Sequence, residues 1–136
     1  MSEAEIMKRV CDLFARRGYA TARELPFFER RLDLVAVDPK SSRVTVVEGK
    51  VKNWQRGVAQ IVLAQTCAHA SFLAVAKEYA PRVPRDVLRE WSIGLITVDG
   101  EAHIETDAPR LKCTNRYCVR MVREAMRIEG KCYACR

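Results

Sequence analysis

The sequence predicts a mixed α/β domain in which helices flank a mixed central sheet. An amphipathic helical stretch opens the chain, and two β-branched apolar runs separated by a turn-rich loop follow at residues 32–38 and 44–50. Helical and strand-like stretches then alternate as far as residue 105, which is typical of a sheet covered by helices. The 136 residues are enough for one domain with a core and a small appendage.

The first helix is predicted over residues 3–17, ahead of a short strand at 20–25. Ser2 and Glu5 have the spacing of a capping box, and Gly18 suits the position just after a last helical turn. After the hairpin, the remaining predicted elements are a helix at 54–70, a strand at 71–76, a helix that begins at Pro84, and strands at 92–98 and 102–105.

The predicted hairpin carries charges where a buried strand should have none. If residues 39–42 form its loop, antiparallel pairing places Asp33 opposite Glu48, and Lys50 shares the face of Glu48. Opposed carboxylates destabilise a sheet, and burying an unpaired one is costly. A divalent cation removes the conflict, because hard cations take carboxylate oxygens. We therefore predict a metal site here; the alternative is a cross-strand ion network on an exposed sheet face.

Two acids and one lysine at this spacing suit the hydrolysis of phosphodiesters. A metal held by carboxylates activates water and neutralises developing charge, and Lys50 can accept a proton or stabilise charge. Lys52 lies next on the same face, and Trp54 and Arg56 follow it. These three side chains are therefore expected to contact nucleic acid.

In this order of elements, the chain resembles the PD-(D/E)xK nuclease superfamily, which has a restriction-endonuclease-like core. Its Holliday-junction resolvase, archaeal nuclease and Mrr-like branches are nearest in size. The resemblance covers about residues 1–105, although Leu32 precedes the first acid where the motif name has proline. The residues that carry it are Glu5, Asp33, Glu48, Gly49, Lys50 and Gln60.

The resemblance implies hydrolysis dependent on Mg²⁺ or Mn²⁺, with DNA favoured over RNA as substrate. It implies that Asp33 and Glu48 hold the metal, that the Gly49 carbonyl completes the protein ligands, and that Lys50 orients or deprotonates the attacking water. Small nucleases of this type often form homodimers that cut two strands.

Two further residues match the superfamily on the flanking helices. Glu5 matches an acid that some branches use as an additional metal ligand, and Gln60 matches a glutamine that supports the site. Each has a structural alternative. Glu5 can serve in the capping box with Ser2, and Gln60 can be a polar residue on a helix shoulder.

From residue 109 onwards the composition changes to basic residues and cysteine. Residues 109–136 carry eight Lys or Arg against two Glu, whereas residues 1–108 carry 16 basic and 15 acidic side chains. We therefore predict a core domain at 1–108 and a basic tail at 109–136. Such a tail indicates an anionic partner, nucleic acid first, with Arg116, Arg120 and Arg123 as candidate contacts. A solvated charged face is the alternative.

The tail cysteines have the paired spacing of a tetrahedral zinc–thiolate site that folds a segment too small to hold itself. An iron–sulfur cluster, which some nucleases of the superfamily carry, is the main alternative, and disulfides are the other. Cys11 and Cys67 are expected to be core thiols, and His69 and His103 to be structural. The predicted zinc ligands are Cys113, Cys118, Cys132 and Cys135.

Composition places the chain among globular proteins of the cell interior. Hydrophobic residues make up 49% and charged residues 30% of the chain, and neither a membrane-spanning apolar run nor a leader is visible. We expect an intracellular protein, cytoplasmic or nucleoid-associated, without a membrane partner. The predicted function is a metal-dependent nucleic acid phosphodiesterase, for which the resemblance favours a DNA endonuclease, with a structural zinc tail that aids nucleic-acid binding. The alternative is a catalytically inactive nucleic-acid-binding or regulatory subunit of a repair or transcription complex that uses that tail.

Overall fold

The computed structural model describes residues 1–27, 29–112 and 114–128. The described chain forms one six-stranded sheet with helices on both faces. Its regular elements are α1 (Glu3–Arg16), β1 (Ala20–Phe27), β2 (Arg30–Val37), β3 (Val44–Lys50), α2 (Trp54–Ala64), β4 (Ala70–Ala76), α3 (Arg85–Glu90), β5 (Gly94–Val98), β6 (Ala102–Thr106) and α4 (Arg116–Ile128).

The strands lie in the order β1-β2-β3-β4-β5-β6. The first three form an antiparallel meander, β3 to β5 run parallel, and β6 returns antiparallel to β5. Helices α2 and α3 form the crossovers that parallel neighbours require. The predicted mixed α/β class, with a mixed sheet flanked by helices, is therefore confirmed.

Helix α1 begins with the predicted capping box. Ser2 Oγ accepts a hydrogen bond from the Glu5 amide at 3.1 Å, and Glu5 Oε1 accepts one from the Ser2 amide at 3.3 Å. The helix ends just before Gly18, whose φ of 84° reverses the chain at little cost. One side of the helix is buried against the sheet through Ile6, Met7, Val10, Leu13 and Phe14.

Several predicted boundaries differ from those of the structure, and two of the differences have a local cause. Strand β1 continues through Pro26 to Phe27, because β1 is an edge strand and a missing amide on an edge removes no necessary ladder bond. Helix α2 ends at Ala64 instead of residue 70, because the chain tightens into a 3-10 turn at Gln65–Cys67 before pairing as β4.

The sheet is covered on both faces. Helix α1 packs on one face, and α2, α3 and α4 pack on the other. In α4, the side chains of Val119, Val122 and Met126 are buried among strand residues that include Val35 and Val46. The described part of the predicted tail therefore shares the core of the rest of the chain. No helix in residues 1–27, 29–112 and 114–128 is long and apolar enough to cross a membrane.

Candidate active site

The acid pair lies where β2 and β3 separate. Leu34 pairs with Val47 in the antiparallel ladder, so Asp33 and Glu48 occupy the next position of the register, as predicted. The backbone ladder stops there, and the Asp33 side chain takes over as the acceptor. Its Oδ2 accepts a hydrogen bond from the Gly49 amide at 3.0 Å, which holds the carboxylate across the gap between the strands.

Glu48 is a buried carboxyl group with only 2% of its surface exposed. Burial raises its pKa to about 9; a hydrogen bond to Asp33 and the Asp33 charge add to the rise, while the charges of Arg30 and Lys50 oppose it. Glu48 Oε2 is buried and has no hydrogen-bond donor among the described residues. An acceptor in this position can be satisfied by a proton or by a cation.

Lys50 is held between two helices. Its side chain is 12% exposed, and its Nζ lies 4.0 Å from Glu3 Oε1 on α1. On the other side, a Cβ added at Gly57 of α2 would lie 2.9 Å from Lys50 Cγ, so the glycine leaves room for the lysine stem. Glu3 was not predicted; its position in the first turn of α1 was the only signal in the sequence.

Glu5, the predicted helix acid, makes a different set of contacts. Its side chain is fully exposed, and hydrogen bonds from the backbone and then the side chain of Ser2 lower its pKa. The structure therefore places Glu5 in its capping role, and the acid of α1 that lies beside Lys50 is Glu3.

Arg30 connects the acid pair to α2, and sequence reasoning missed it. Its Nη2 donates a hydrogen bond to the Gln60 carbonyl at 2.9 Å and lies 4.0 Å from Glu48 Oε1. Gln60 thus reaches the site through its backbone. Gln60 Oε1 is also buried, without a donor among the described residues. The only sequence signal for Arg30 was a basic residue at the start of the strand that carries Asp33.

A small cavity of about 160 Å³ opens beside Asp33. Next to it, the β1·β2 register omits the pairing of Glu24 with Asp33, and Glu24 has a φ of 51°. A non-glycine residue in the left-handed region is strained, and such strain concentrates at functional sites. The cavity is lined by Glu3, Ala4, Met7, Arg23, Glu24 and Asp33.

The site offers two clustered carboxylates. Within the described chain, no three His, Cys, Asp or Glu side chains are grouped closely enough to share a metal ion. Asp33 and Glu48 are the two carboxyl groups that the β2–β3 register brings next to each other. In the structure, the Gly49 amide donates a hydrogen bond to Asp33. Binding of a metal by the Gly49 carbonyl stays a prediction.

Gly49 is required by the close approach of α1. A Cβ at this position would overlap Met7 Sδ and lie 3.1 Å from Met7 Cγ. We expect Gly49→Ala to lower the free energy of unfolding by about 1–3 kcal/mol, because overpacking displaces α1. In a double-mutant cycle measured by chemical denaturation, Met7→Ala should recover part of that loss. Strictly additive losses would contradict the contact.

The predicted nucleic-acid contacts fall in two places. Lys52 and Arg56 are exposed at the end of β3 and the start of α2, whereas Trp54 is half-buried and packs against the core. The other three contacts lie together on α4 and line one cavity: Arg116, Arg120 and Arg123.

Cys67 and Cys118 form a disulfide that joins the 3-10 turn after α2 to α4. The expectation that Cys67 is a thiol is therefore wrong. The expectation holds for Cys11, which is free and lies 3.3 Å from Thr21 Oγ1. A bonded Cys118 sulfur is not a thiolate ligand, so zinc stays a prediction for the reduced chain. The other predicted zinc ligands lie outside the described residues: Cys113, Cys132 and Cys135.

Among solved structures, the chain is similar to SPO1766, a protein of unknown function from Silicibacter pomeroyi. The TM-score is 0.73 at 19% identity, covering 96% of this chain and 88% of that one, which shows a shared fold. The structure of Pyrococcus furiosus SfsA in complex with Ca²⁺ matches with a TM-score of 0.38 at 15% identity, over 76% of this chain and 60% of that one. No protein-family model matches the chain, and no curated protein matches it significantly.

Proposed function

We propose that the protein is a metal-dependent phosphodiesterase of nucleic acids, with DNA as the favoured substrate, and that it has the restriction-endonuclease-like core of the PD-(D/E)xK superfamily. The observation that carries the proposal is a buried carboxyl group beside a half-buried one. Glu48 is 2% exposed beside Asp33, and its Oε2 has no donor among the described residues. Two neighbouring carboxyl groups with so little access to water can both be charged only when a cation compensates them.

Mg²⁺ or Mn²⁺ fits this donor set, because both ions take oxygen ligands. Asp33 and Glu48 would hold the ion, with the Gly49 carbonyl as the backbone ligand that the superfamily resemblance implies. When bound, the ion supplies activation of water and stabilisation of the negative charge on the phosphate.

The surrounding side chains have separate tasks in the proposed hydrolysis. Water attacks phosphorus, the bond from phosphorus to the leaving oxygen breaks, and the leaving oxygen takes up a proton. Lys50 lies where its ammonium can stabilise the added charge or, when neutral, accept the proton of the water. Arg30 keeps Glu48 oriented from the side of α2.

The direct test is a cleavage assay on branched, duplex and single-stranded DNA and on RNA of the same sequence. We expect cleavage with Mg²⁺ or Mn²⁺, and none with a chelator or in Asp33→Ala. Equal cleavage by Asp33→Ala would refute the assignment of the site. Failure of folded wild-type protein to cut any substrate would favour the inactive nucleic-acid-binding alternative.

The two acids of α1 should behave differently on substitution. Glu3→Gln is expected to slow cleavage by roughly tenfold, because Lys50 loses the charge that positions its ammonium. Glu5→Ala should lower Tm slightly through loss of the capping box and leave cleavage unchanged. Cleavage rates and melting curves of the two variants check this. A loss of cleavage in Glu5→Ala alone would show that the predicted helix acid is the functional one.

For the tail, we propose a structural Zn²⁺ held by thiolates in the reduced protein. Metal analysis should then find zinc in protein purified under reducing conditions. Zinc should be lost in Cys132→Ser and retained in Cys11→Ser, which removes the free thiol of α1. Iron in place of zinc would show that the tail cysteines hold an iron–sulfur cluster. Absence of both metals would leave the disulfide between Cys67 and Cys118 as the covalent anchor of α4.

A further inference from the structure

A cavity of about 790 Å³ lies between α4 and the start of β4, apart from the acid pair. Its lining contains five Lys or Arg side chains and one histidine, and no acidic side chain is among the described residues that line it. The lining residues are His69, Arg110, Leu111, Lys112, Thr114, Arg116, Val119, Arg120 and Arg123.

The walls of this cavity are fixed by hydrogen bonds to the turn before β4. The Leu111 amide donates to the His69 carbonyl at 2.8 Å, and Thr114 Oγ1 donates to the Ala68 carbonyl at 2.8 Å. Asn115 caps α4, because its Oδ1 accepts from the amides of the following turn. The basic side chains therefore project from a preformed frame.

The charge of the cavity is uncompensated within the described chain. The ion pairs among described residues involve none of its five basic side chains. Arg123 Nε is buried and has no acceptor there. Like charges lining a concave surface repel one another and raise the local concentration of anions. A bound anion would relieve the repulsion and satisfy the buried donor.

His69 adds a neutral donor to this set. Its Nδ1 accepts a hydrogen bond from the Val44 amide at 2.9 Å, so the neutral ring carries its proton on Nε2. Burial, followed by the charges of Arg110 and Arg123, lowers the pKa of His69. The neutral ring thus donates without adding to the positive charge.

We propose that this basic cavity binds the phosphate groups of nucleotides. Its volume lies within the range of about 300–1,000 Å³ that is usual for small-molecule sites. Among the described residues that line the cavity, His69 is the only one with a ring on which a base could stack. The guanidinium groups, by contrast, match the geometry of phosphate oxygens. Recognition therefore falls on the phosphates.

The phosphates can belong to a nucleic-acid strand or to a free nucleotide, and the fold favours the strand. The His69 amide donates to the Val44 carbonyl at 2.8 Å, which places the cavity beside the first residue of β3. Glu48 lies four residues further along β3, about 13 Å from Val44 at the usual rise of a strand. Four nucleotides of one strand, at ~3.4 Å per phosphate, span that distance. The inference that a nucleic-acid strand occupies the cavity rests on the proposed function, whereas the inference that the cavity binds phosphate groups does not.

Binding should be measured in a chelator, so that the result is independent of cleavage. The probe is a short fluorescent DNA strand, followed by anisotropy over a series of salt concentrations. The test variant is Arg116→Ala with Arg120→Ala, both exposed on α4. The control is Arg82→Ala with Arg89→Ala, which removes the same charge from exposed positions near and on α3.

We expect the cavity variant to bind about tenfold more weakly and its salt slope to fall by about 1.4, because two phosphate contacts are lost. The control should change affinity by less than about threefold. Equal losses in both variants, or no loss in the cavity variant, would overturn the proposal. Binding of a nucleoside triphosphate but not of the strand, abolished in the cavity variant, would assign a free nucleotide. Intact binding by a protein that does not cleave would refute the proposed function alone.

Discussion

Replacing Lys50 with alanine is expected to slow Mg²⁺-dependent cleavage by about 10²- to 10⁴-fold. The Lys50 side chain is 12% exposed, and its ammonium lies beside Glu3 at the edge of the acid pair. It is therefore placed to act on the attacking water or on the charge that develops at the phosphate. Because Lys50 does not hold the metal, the Mg²⁺-induced rise in Tm should survive the substitution. Single-turnover cleavage and thermal melting measure the two effects separately.

Lys52 offers a matched control two residues along the chain. It is exposed beyond the end of β3, so Lys52→Ala should weaken substrate binding and leave the single-turnover rate at saturation within about threefold of the wild type. Lys50→Arg keeps the charge but changes its shape, and should remain impaired. Equal impairment of the cleavage rate in the two alanine variants would show that both lysines merely bind the phosphate backbone of the nucleic acid. Full activity in Lys50→Ala would remove it from the site.

The position of the acid pair follows from local rules. A strand alternates its faces with a period of two, and the four-residue loop at 39–42 sets the register of the hairpin. Those two facts placed Asp33 opposite Glu48, and the ladder from Leu34 to Val37 has that register. The capping box is equally local, because Ser2 and Glu5 lie within one turn.

Contacts that depend on how the helices pack against the sheet cannot be predicted from such local rules. Glu3 meets Lys50 because α1 packs closely against β3, and Arg30 lies beside Glu48 where the α2 backbone accepts its hydrogen bond. Helical periodicity identifies a buried face but not which long side chain reaches across an edge.

The cysteines show the same limit on a larger scale. Their spacing suggested that Cys118 joins its neighbours in the tail. In the structure its partner is Cys67, 51 residues earlier in the chain, because α4 packs beside the turn that follows α2. A pairing over that separation is a property of the tertiary fold.

Glu48→Gln is expected to stabilise the metal-free protein as the pH rises above neutrality. The pKa of Glu48 is raised from 4.5 to about 9, so the native state holds a proton that the unfolded chain releases between these values. The corresponding stability is fully present below pH 4.5 and is lost as the pH rises towards 9. An amide has the shape of the carboxyl group and loses no proton. We expect a gain of about 1–3 kcal/mol in unfolding free energy at the alkaline end of this range.

With Mg²⁺ present, the wild type should become more stable than Glu48→Gln, because the ion takes the place of the Glu48 proton. The wild-type Tm should rise with Mg²⁺, and by more at higher pH, while Glu48→Gln should respond weakly at every pH. Glu78→Gln, an exposed carboxylate after β4, serves as the control and should respond as the wild type does. Chemical denaturation and melting curves across the pH series measure both effects. If Mg²⁺ raises the Tm of wild type and Glu48→Gln equally, the cation does not sit at the acid pair, and Glu48 is a buried acid whose proton alone satisfies it.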